Sequence, residues 1–575
     1  MPAVPDSATV QDHTSTPTPD GVPPFATLAD RVRHAAAARP DQPALIWQGR
    51  SITWAELDDS IDQAADGLSD AVRPASAGLS DRVCPASAGL SDMVPSDFTG
   101  HPPRIAIALT NTPDFVVAYL ATLRSGLVAV PVDPASSARE LRHVLADSAA
   151  ALLIGTERVR DLAAGLVGEL PALRAVTDAA PTGPGRQPTR DSRPGSDDLA
   201  VLLYTSGTEG RPKGAMLSHR ALLANHEQIS QIEPAVVGPD DVVLLALPLF
   251  HVYGLNTGLG SVIYQGACGV LVDRFDPDAT LEIVTGRRVS VLVGVPTMYL
   301  EWSTRPELEA AMGTVRTAVC GAAPLDPAVG ERFVAASHRP LHVGYGLTET
   351  APVLTSTLAS GTTKPGSIGA PLPGVEVRLV GATGELLWQG DGTTGSVEED
   401  DGDDLDFDLS SPGTDPGEIV VRGANLFSGY WPDGRDGPDS AGWWATGDVA
   451  YADPDGDLFL VDRLGELILV HGFNVYPREV ELVLDAHPEV VESAVLGHPH
   501  PHSGQAVTAY VVRVPAGTVT DQELRAHCAR NLARFKCPSV VEFVEELPHS
   551  LLGRVRKTLL RPVSERGAGG DVTDG

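Results

Sequence analysis

RIAIALTNTPDFVVAYLATLRSGLVAVPVD, residues 104–133, contains a strand pattern, a helix pattern and a second strand pattern in direct succession. The two outer stretches are short apolar runs, whereas the middle one starts at a proline and continues for about three helical turns. A helix pattern over residues 138–148 and an apolar run over 151–155 continue the alternation. Strands that alternate with helices form mostly parallel sheets with crossover helices, so we predict an α/β fold.

Length and composition indicate a multidomain enzyme and exclude some partners. The chain has 575 residues, too many for one compact core, and 42% of them are hydrophobic. Acidic residues outnumber basic ones by 75 to 42, and the net charge of −33 would repel nucleic acid. Residues 1–24 lack the features of a signal peptide, and the five cysteines include no C-x-x-C pair. We therefore expect a cytoplasmic protein in a reducing compartment, without nucleic acid or zinc.

An eleven-residue unit is repeated near the N-terminus: GLSDAVRPASA starts at residue 67, GLSDRVCPASA at 78 and a truncated GLSDMVP at 89. So short a repeat buries no core by itself, so we interpret residues 67–101 as a surface insertion. A second insertion, 391–416, holds eight acidic residues between Glu398 and Asp408 and is expected to be disordered. We expect the same of the tails, 1–24 and 563–575.

The uncharged stretch from Val242 to Val272 raises the question of a membrane span. Pro248, Asn256, Gln265 and several glycines interrupt it, which is unlike a membrane helix. We interpret the stretch as buried strands and turns and predict no integral membrane segment.

The first chemical feature is a glycine-rich turn, YTSGTEGRPKG, at residues 204–214. It directly follows the apolar strand pattern DLAVLLYT, residues 198–205. Glycines let backbone N–H groups point inward, hydroxyls add donors, and Lys213 supplies a positive charge for terminal phosphates. The P-loop pattern is absent, and a glycine-rich turn alone is weak evidence.

Four further motifs follow in a set order and make the phosphate site specific. They are GAAP (321–324), GYGLTE (344–349), WATGD (444–448) and VDR (461–463). The five together resemble the signature motifs of the adenylate-forming superfamily, which includes acyl-CoA synthetases, luciferases and the adenylation domains of peptide synthetases. The similarity is greatest to bacterial medium- and long-chain fatty acyl-CoA synthetases.

The resemblance implies a two-domain architecture. Residues 25–462 would form a large N-terminal adenylation domain with several parallel or mixed sheets and a distorted barrel. A hinge at 463–466 would join it to a small, mobile α+β C-terminal domain at 467–562, which rotates between the two half-reactions.

The resemblance also implies ATP, Mg²⁺ and coenzyme A as ligands. Tyr345 would stack on adenine, Thr348 would contact the α-phosphate, Glu349 would bind Mg²⁺, and Asp448 would accept hydrogen bonds from the ribose. The catalytic residues that it implies are Lys213, Thr348, Glu349, Arg554 and His251. The nucleotide- and CoA-binding residues that it implies are Thr205, Ser206, Gly207, Thr208, Gly210, Gly321, Ala322, Ala323, Tyr345, Gly346, Thr348, Asp448, Arg463 and Gly472.

The C-terminal part departs from the family pattern at two positions. Gly465 stands at the hinge where an Asp or Lys is usual, so rotation is permitted without an added charge. Arg554 stands where the family has the lysine that bridges carboxylate and α-phosphate, and an arginine is larger and forked. We expect Arg554 to take the catalytic role, with Lys557 as the alternative. His498, His500 and His502 alternate with prolines, and we interpret them as a surface turn and not as a metal site.

The segment around His251 predicts the class of acid. PLFHVYG, residues 248–254, resembles the wall of the acyl pocket in fatty acid ligases and carries no carboxylate to hold an amino group. An uncharged acyl tail of medium or long chain is favoured, with His251 beside the substrate or, alternatively, capping a turn. Three hypotheses stay open: an acyl-CoA ligase, a ligase that loads an acyl carrier protein, and a catalytically impaired nucleotide-binding relative. Homodimer formation is left open as well.

Overall fold

The computed structural model describes residues 25–72, 101–185, 194–205, 212–391, 413–463, 466–470, 473–500, 504–550, 553 and 555–560. The α-helices within these ranges are α1 Leu28–Ala38, α2 Trp54–Ala71, α3 Pro113–Arg124, α4 Ala138–Asp147, α5 Glu157–Ala163, α6 His219–Ile229, α7 Ser261–Gln265, α8 Pro277–Gly286, α9 Pro296–Trp302, α10 Leu308–Ala311, α11 Pro327–Ser337, α12 Pro477–Asp485 and α13 Asp521–Asn531.

The strands form four sheets. In chain order they are β1 Pro43–Trp47, β2 Arg50–Thr53, β3 Arg104–Ala108, β4 Val128–Pro131, β5 Ala150–Gly155, β6 Ala175–Thr177, β7 Leu199–Thr205, β8 Lys213–Ser218, β9 Val242–Leu245, β10 Cys268–Leu271, β11 Val291–Gly294, β12 Thr317–Cys320, β13 His342–Gly346, β14 Val353–Ser356, β15 Ala370–Pro371, β16 Val375–Val380, β17 Leu386–Gly390, β18 Gly417–Gly423, β19 Trp444–Ala452, β20 Leu458–Arg463, β21 Ile468–Val470, β22 Phe473–Val475, β23 Val490–His500, β24 Gly504–Arg513 and β25 Val540–Val544.

The six-stranded sheet confirms the alternation that the sequence predicts. Its order is β6-β5-β3-β4-β7-β8, and only the last pair is antiparallel. Helix α3 begins at its N-cap Thr112, whose side chain accepts a hydrogen bond from the Phe115 amide. The antiparallel pair places Thr205 opposite Lys213, so the two ends of the glycine-rich turn lie side by side.

The nine-stranded sheet brings the remaining N-terminal motifs to one edge. Its order is β15-β14-β13-β12-β11-β9-β10-β1-β2, and the strands from β13 to β1 are parallel. The carboxyl ends of β9, β12 and β13 lead into His251, Gly321 and Gly346. In open α/β sheets ligands bind at this edge.

A five-stranded antiparallel sheet, β17-β16-β18-β19-β20, occupies the place of the predicted distorted barrel. Among the described residues its outer strands, β17 and β20, do not pair with each other, so the sheet is open. Asp448 on β19 pairs in register with Arg463 on β20. The acidic insertion, 391–416, connects β17 to β18, and its residues 392–412 lie outside the described ranges.

The C-terminal part is a small α+β unit, as predicted. Strands β21 to β25 form one sheet against α12 and α13, and their apolar side chains make a separate core. Asp462 on β20 accepts a hydrogen bond from the Arg478 amide of α12 (2.8 Å), which links the two units beside the hinge. Residues 464 and 465, the predicted hinge glycine among them, lie outside the described ranges.

We expected the uncharged stretch from Val242 to Val272 to consist of buried strands and turns. It also contains helical segments. Between β9 and β10 it forms a π-helix, Tyr253–Gly260, that runs into α7. Its small residues permit close backbone contact: a Cβ on Gly254 would lie 2.3 Å from the Pro248 carbonyl oxygen. A continuous apolar run has no period, so the sequence alone does not separate a buried helix from buried strands.

Helix α2 continues to Ala71 and therefore includes the start of the first repeat copy, residues 67–71, which we expected to belong to a surface insertion. Leu68 is fully buried, and Gly67 packs directly against the backbone at Pro181. Residues 73–100, which hold the other copies, lie outside the described ranges.

Membrane-spanning helices and clusters of metal-ligating side chains are both absent from the described residues. Within the described ranges, none of the helices combines the length and the apolar character needed to cross a bilayer. The same residues contain no group of three His, Cys, Asp or Glu side chains placed to hold a metal ion. His498 instead lies 3.1 Å from the Tyr510 hydroxyl in the β23–β24 hairpin, whereas His502 lies outside the described ranges.

Candidate active site

A cavity of about 1120 Å³ opens where the three N-terminal sheets and the C-terminal unit meet. Most of the described residues that the sequence analysis identified as candidate site residues lie at this cavity. Those that line it are Thr205, Lys213, His251, Ala322, Tyr345, Gly346, Thr348, Glu349 and Arg463. Gly321, Ala323 and Asp448 stand next to the lining, whereas Ser206, Gly207, Thr208, Gly210, Gly472 and Arg554 lie outside the described ranges.

Asp448 joins two other nominated residues. Its Oδ2 accepts a hydrogen bond from the Tyr345 hydroxyl (2.7 Å), and its Oδ1 lies 2.8 Å from Arg463 Nε. Asp448 is buried, as is Tyr345, and burial raises the pKa of the Tyr345 hydroxyl well above its usual range. Tyr345 therefore remains a hydrogen-bond donor, and its hydrogen bond to Asp448 holds the Tyr345 ring against the cavity.

Glu349 meets a residue that the motifs did not nominate. Its Oε1 accepts a hydrogen bond from the Tyr430 hydroxyl (2.7 Å), and both residues line the cavity. Burial is the main cause that raises the pKa of the Tyr430 hydroxyl, and the negative charge of Glu349 is the second. Glu349 is a nearly buried carboxylate on a polar cavity wall, and such an oxygen donor fits a hard cation such as Mg²⁺.

Lys213 faces an acidic residue across the same cavity. Its Nζ lies 3.7 Å from Asp436 Oδ2 and 5.5 Å from the centre of the Tyr430 ring. The side chains of Lys213 and Asp436 are 37% and 62% exposed, so water screens their attraction. An incoming phosphate and the Asp436 carboxylate would compete for the same ammonium group.

Asp436→Asn is therefore expected to tighten ATP binding. The lost pair is exposed, so we expect the Kd for ATP to fall only about two- to fivefold, with a smaller change at high salt. Titration calorimetry at two salt concentrations checks this. Asp433→Asn is the matched control, because Asp433 pairs with Arg435 in the same loop and does not line the cavity. An equal or weaker affinity in Asp436→Asn would show that the carboxylate does not compete.

Gly321 explains why small residues follow β12. A Cβ at this position would lie 3.0 Å from the ring and hydroxyl of Tyr253 and 3.2 Å from the Gly344 carbonyl oxygen. Its neighbour Ala322 adopts a positive φ of 68° and lines the cavity. The GAAP motif thus keeps side chains out of the space between β12, β13 and the π-helix.

His251 lies at the start of the uncharged wall. Its Nδ1 accepts a hydrogen bond from the Tyr253 amide (3.2 Å), and burial lowers its pKa to about 4. The imidazole is therefore neutral at physiological pH. The cavity lining also includes the apolar residues Ile229, Ile232, Val236, Val237, Val293 and Val319, together with the hydroxyl-bearing Thr257 and Ser261.

The C-terminal segment reaches this cavity. His549, Ser550 and Arg556 line it, and a Cβ on Gly553 would lie 3.0 Å from Thr297 of the N-terminal domain. Described residues before and after position 554, Ser550 and Arg556, therefore line the cavity. Hydrogen bonds from Ser137, and to a lesser degree the charge of Arg556, lower the pKa of Glu140 on α4.

Lys557 is engaged elsewhere. Its Nζ lies 2.8 Å from both Glu466 of the predicted hinge and Glu481 of the C-terminal unit, and it does not line the cavity. The ammonium group of Lys557 is therefore paired with two carboxylates away from the cavity.

Tyr430, Asp436 and Arg556 line the cavity without having been predicted. Tyr430 belongs to a Gly-Tyr-Trp triplet that precedes the WATGD motif in the chain. Its position near a nominated motif is the signal that could have identified it. Asp436 has no such signal, because its partner Lys213 is more than two hundred residues away in the sequence.

Comparisons with known proteins match both units. A family model described as AMP-binding enzyme matches residues 77–431, and one described as AMP-binding enzyme C-terminal domain matches residues 479–554. Feruloyl-CoA synthase of an Amycolatopsis species is 36% identical over 466 residues, 80% of this chain and 88% of that protein. A long-chain-fatty-acid–CoA ligase of Bacillus subtilis is 30% identical over 512 residues, 80% of this chain and 86% of that protein.

A solved structure shows the same architecture. The crystal structure of ATP-bound MatB from Rhodopseudomonas palustris is 30% identical, with a TM-score of 0.78, and covers 93% of this chain and 98% of its own. The matched models, these relatives and the motif residues around one cavity lead to one assignment. The chain belongs to the AMP-binding enzyme family and is an AMP-forming acid–CoA ligase.

Proposed function

We propose that this enzyme activates a medium- or long-chain carboxylic acid with an uncharged tail and transfers the acyl group to coenzyme A in the cytoplasm. The observation that carries the proposal is the apolar cavity wall beyond the neutral His251. Residues 248–261 contribute no acidic side chain to it, so an amino acid would find no partner for its ammonium group.

In the first half-reaction a carboxylate oxygen of the acid attacks the α-phosphorus of ATP. An acyl–phosphate bond forms, the bond to the β-phosphate oxygen breaks, and pyrophosphate leaves. Lys213 and the amides of the glycine-rich turn would hold the departing phosphates, while Thr348 would contact the α-phosphate and Asp448 and Arg463 would hold the ribose. Glu349 would hold Mg²⁺, which supplies positive charge to the phosphate oxygens.

In the second half-reaction a thiolate attacks the acyl carbon and AMP leaves with the electron pair of the broken bond. Gly472 would lie beside the pantetheine chain. The alternative acceptor is the phosphopantetheine thiol of an acyl carrier protein, which has the same reacting group.

Two sequential assays test the proposal. Pyrophosphate release is measured with octanoate, decanoate, palmitate, ferulate and malonate, and CoA is then added and AMP release is measured. The proposal expects the monocarboxylic acids with long apolar tails to exceed malonate by at least about tenfold in kcat/KM. Preference for malonate would overturn the proposed substrate class. Pyrophosphate release without AMP release after CoA is added would indicate that an acyl carrier protein is the acceptor.

Arg554→Lys is expected to raise the rate of adenylation by about three- to tenfold. A compact ammonium group fits between carboxylate and phosphate where the forked guanidinium is larger. Single-turnover pyrophosphate release checks this, with Arg556→Lys as the control for a lysine elsewhere in the same segment. A lower rate in Arg554→Lys alone would show that arginine is adapted to this site.

A further inference from the structure

Residues 428–431 form a short stretch that pairs with β8. Three backbone hydrogen bonds of 2.8–3.1 Å join this stretch to residues 214–216, and Tyr430 lies opposite Ala215. Strand β8 begins at Lys213, the lysine of the glycine-rich turn. The backbone of Tyr430 is therefore fixed in position relative to that lysine.

Two glycines close the loop around Tyr430. Gly429 and Gly434 adopt positive φ angles of 97° and 74°, and a Cβ on Gly429 would lie 2.1 Å from the Gly434 carbonyl oxygen. The Tyr430 amide donates a hydrogen bond to the Arg435 carbonyl oxygen, and the Tyr430 carbonyl oxygen accepts one from the Gly434 amide, both at 2.9 Å. So tight a loop leaves the Tyr430 backbone little freedom, which suits a residue that holds another one in place.

The side chain of Tyr430 is held as well. Its ring packs edge-to-face on the buried Phe427, with the ring centres 5.1 Å apart, and its hydroxyl donates a hydrogen bond to Glu349 Oε1 (2.7 Å). The Phe427 amide donates a second hydrogen bond, to the Glu349 carbonyl oxygen (2.8 Å). Residues 427–430 therefore fix Glu349 both at its backbone and at its carboxylate.

Only one oxygen of the Glu349 carboxylate is engaged by the residues that the structure describes. Oε2 has no hydrogen bond or ion pair with any of them. Glu349 lines the cavity and is only 7% exposed, so Oε2 has neither a protein partner nor full access to bulk water. At nucleotide sites Mg²⁺ is held by one or two carboxylates together with phosphate oxygens, so the placement of a single carboxylate affects how tightly the cation binds.

We propose that Tyr430 is a positioning residue for the adenylation step: its hydroxyl binds Oε1 of Glu349 and so keeps Oε2 available to a divalent cation. This inference rests on the role of Glu349 in the proposed function. A hydrogen-bonded partner fixes the orientation of a ligating carboxylate, and loss of such a partner weakens metal binding by about ten- to a hundredfold. Without the Tyr430 hydroxyl, the Glu349 side chain would have to be ordered each time a cation binds.

The direct test measures Mn²⁺ binding to the full-length enzyme by electron paramagnetic resonance, with α,β-methylene-ATP as a nucleotide that is not cleaved. Tyr430→Phe is expected to raise the Kd for Mn²⁺ about tenfold. Phenylalanine keeps the ring and its packing on Phe427, so the Kd for the analogue without a divalent cation is expected to change by less than about twofold. In turnover, half-maximal pyrophosphate release is expected to require about tenfold more Mg²⁺, and saturating Mg²⁺ is expected to restore the maximal rate.

A double-variant cycle shows whether Tyr430 acts through Glu349. Glu349→Ala removes the carboxylate and is expected to raise the Kd for Mn²⁺ at least as much as Tyr430→Phe does. In the Glu349→Ala background, Tyr430→Phe is expected to have no further effect, and additive losses would overturn the inference. If Glu349→Ala left Mn²⁺ binding unchanged, the role of Glu349 in the proposed function would be wrong, and the inference would be wrong with it.

Tyr451→Phe is the matched control. The Tyr451 ring stacks on Phe459 in the five-stranded sheet, with ring centres 5.0 Å apart, and does not line the cavity. An unchanged Kd for Mn²⁺ is expected in this variant. No rise in Tyr430→Phe, or an equal rise in the two variants, would overturn the inference while leaving the proposed substrate and acceptor intact.

Discussion

Asp448→Ala is expected to raise the KM for ATP by about a hundredfold. The carboxylate is buried and holds both the Tyr345 hydroxyl and the Arg463 guanidinium, so its removal frees the two side chains that we assign to adenine and ribose. It also removes the proposed acceptor of the ribose hydroxyls. The measurement is the KM for ATP in pyrophosphate release, together with the Kd for ATP from calorimetry.

Tyr345→Phe is the matched control for Asp448→Ala. It removes one hydrogen bond and keeps the ring, so a loss of about tenfold or less is expected. If Asp448→Ala bound ATP as tightly as the wild-type enzyme, the ribose assignment would be wrong. A thermal melt of each variant separates loss of binding from loss of folding.

Gly346→Ala is expected to abolish most of the activity and to lower the melting temperature by about 5 °C or more. An added Cβ would lie 1.7 Å from the Pro352 carbonyl oxygen and 3.1 Å from the Val353 Cα, and these backbone atoms have little freedom to move. The strand would have to shift, and it carries Tyr345 and leads into Thr348 and Glu349.

Gly344→Ala is the control in the same strand. A Cβ there has its nearest neighbour at 3.8 Å, the Thr355 carbonyl oxygen, so a normal melting temperature is expected. The contrast isolates the steric effect because both changes add one methyl group two residues apart. Equal melting temperatures for the two variants would contradict the argument.

Much of the N-terminal fold could be predicted because local patterns decide it. Helix α3 begins at Pro113 as predicted and ends at Arg124, and α4 begins at Ala138, since Thr112 and Ser137 are strong N-caps. Strands β3, β4 and β5 are short and buried on both faces, which gives the uninterrupted apolar runs of a parallel sheet. These signals act over a few residues and are visible in one sequence.

Site residues could be predicted only where they belong to a recognised motif, because such a motif implies contacts between distant parts of the chain. The motifs nominated Lys213, Tyr345 and Glu349 as site residues, and all three line one cavity. Nothing local indicates that Tyr430 bonds to Glu349 or that Asp436 faces Lys213, because sheet packing makes those contacts. The π-helix was missed for a different reason, since a stretch without polar residues has no period to read.

The repeat at the end of helix α2 bears on how the protein tolerates a change in chain length. The tetrad GLSD occurs at residues 67, 78 and 89, and the first copy is the one that continues the helix and supplies the buried Leu68. Loss or gain of one complete unit after that copy leaves every residue up to Ala77 and every residue from His101 onward unchanged. A change in the number of complete units after the first copy therefore leaves the buried face of helix α2 unchanged.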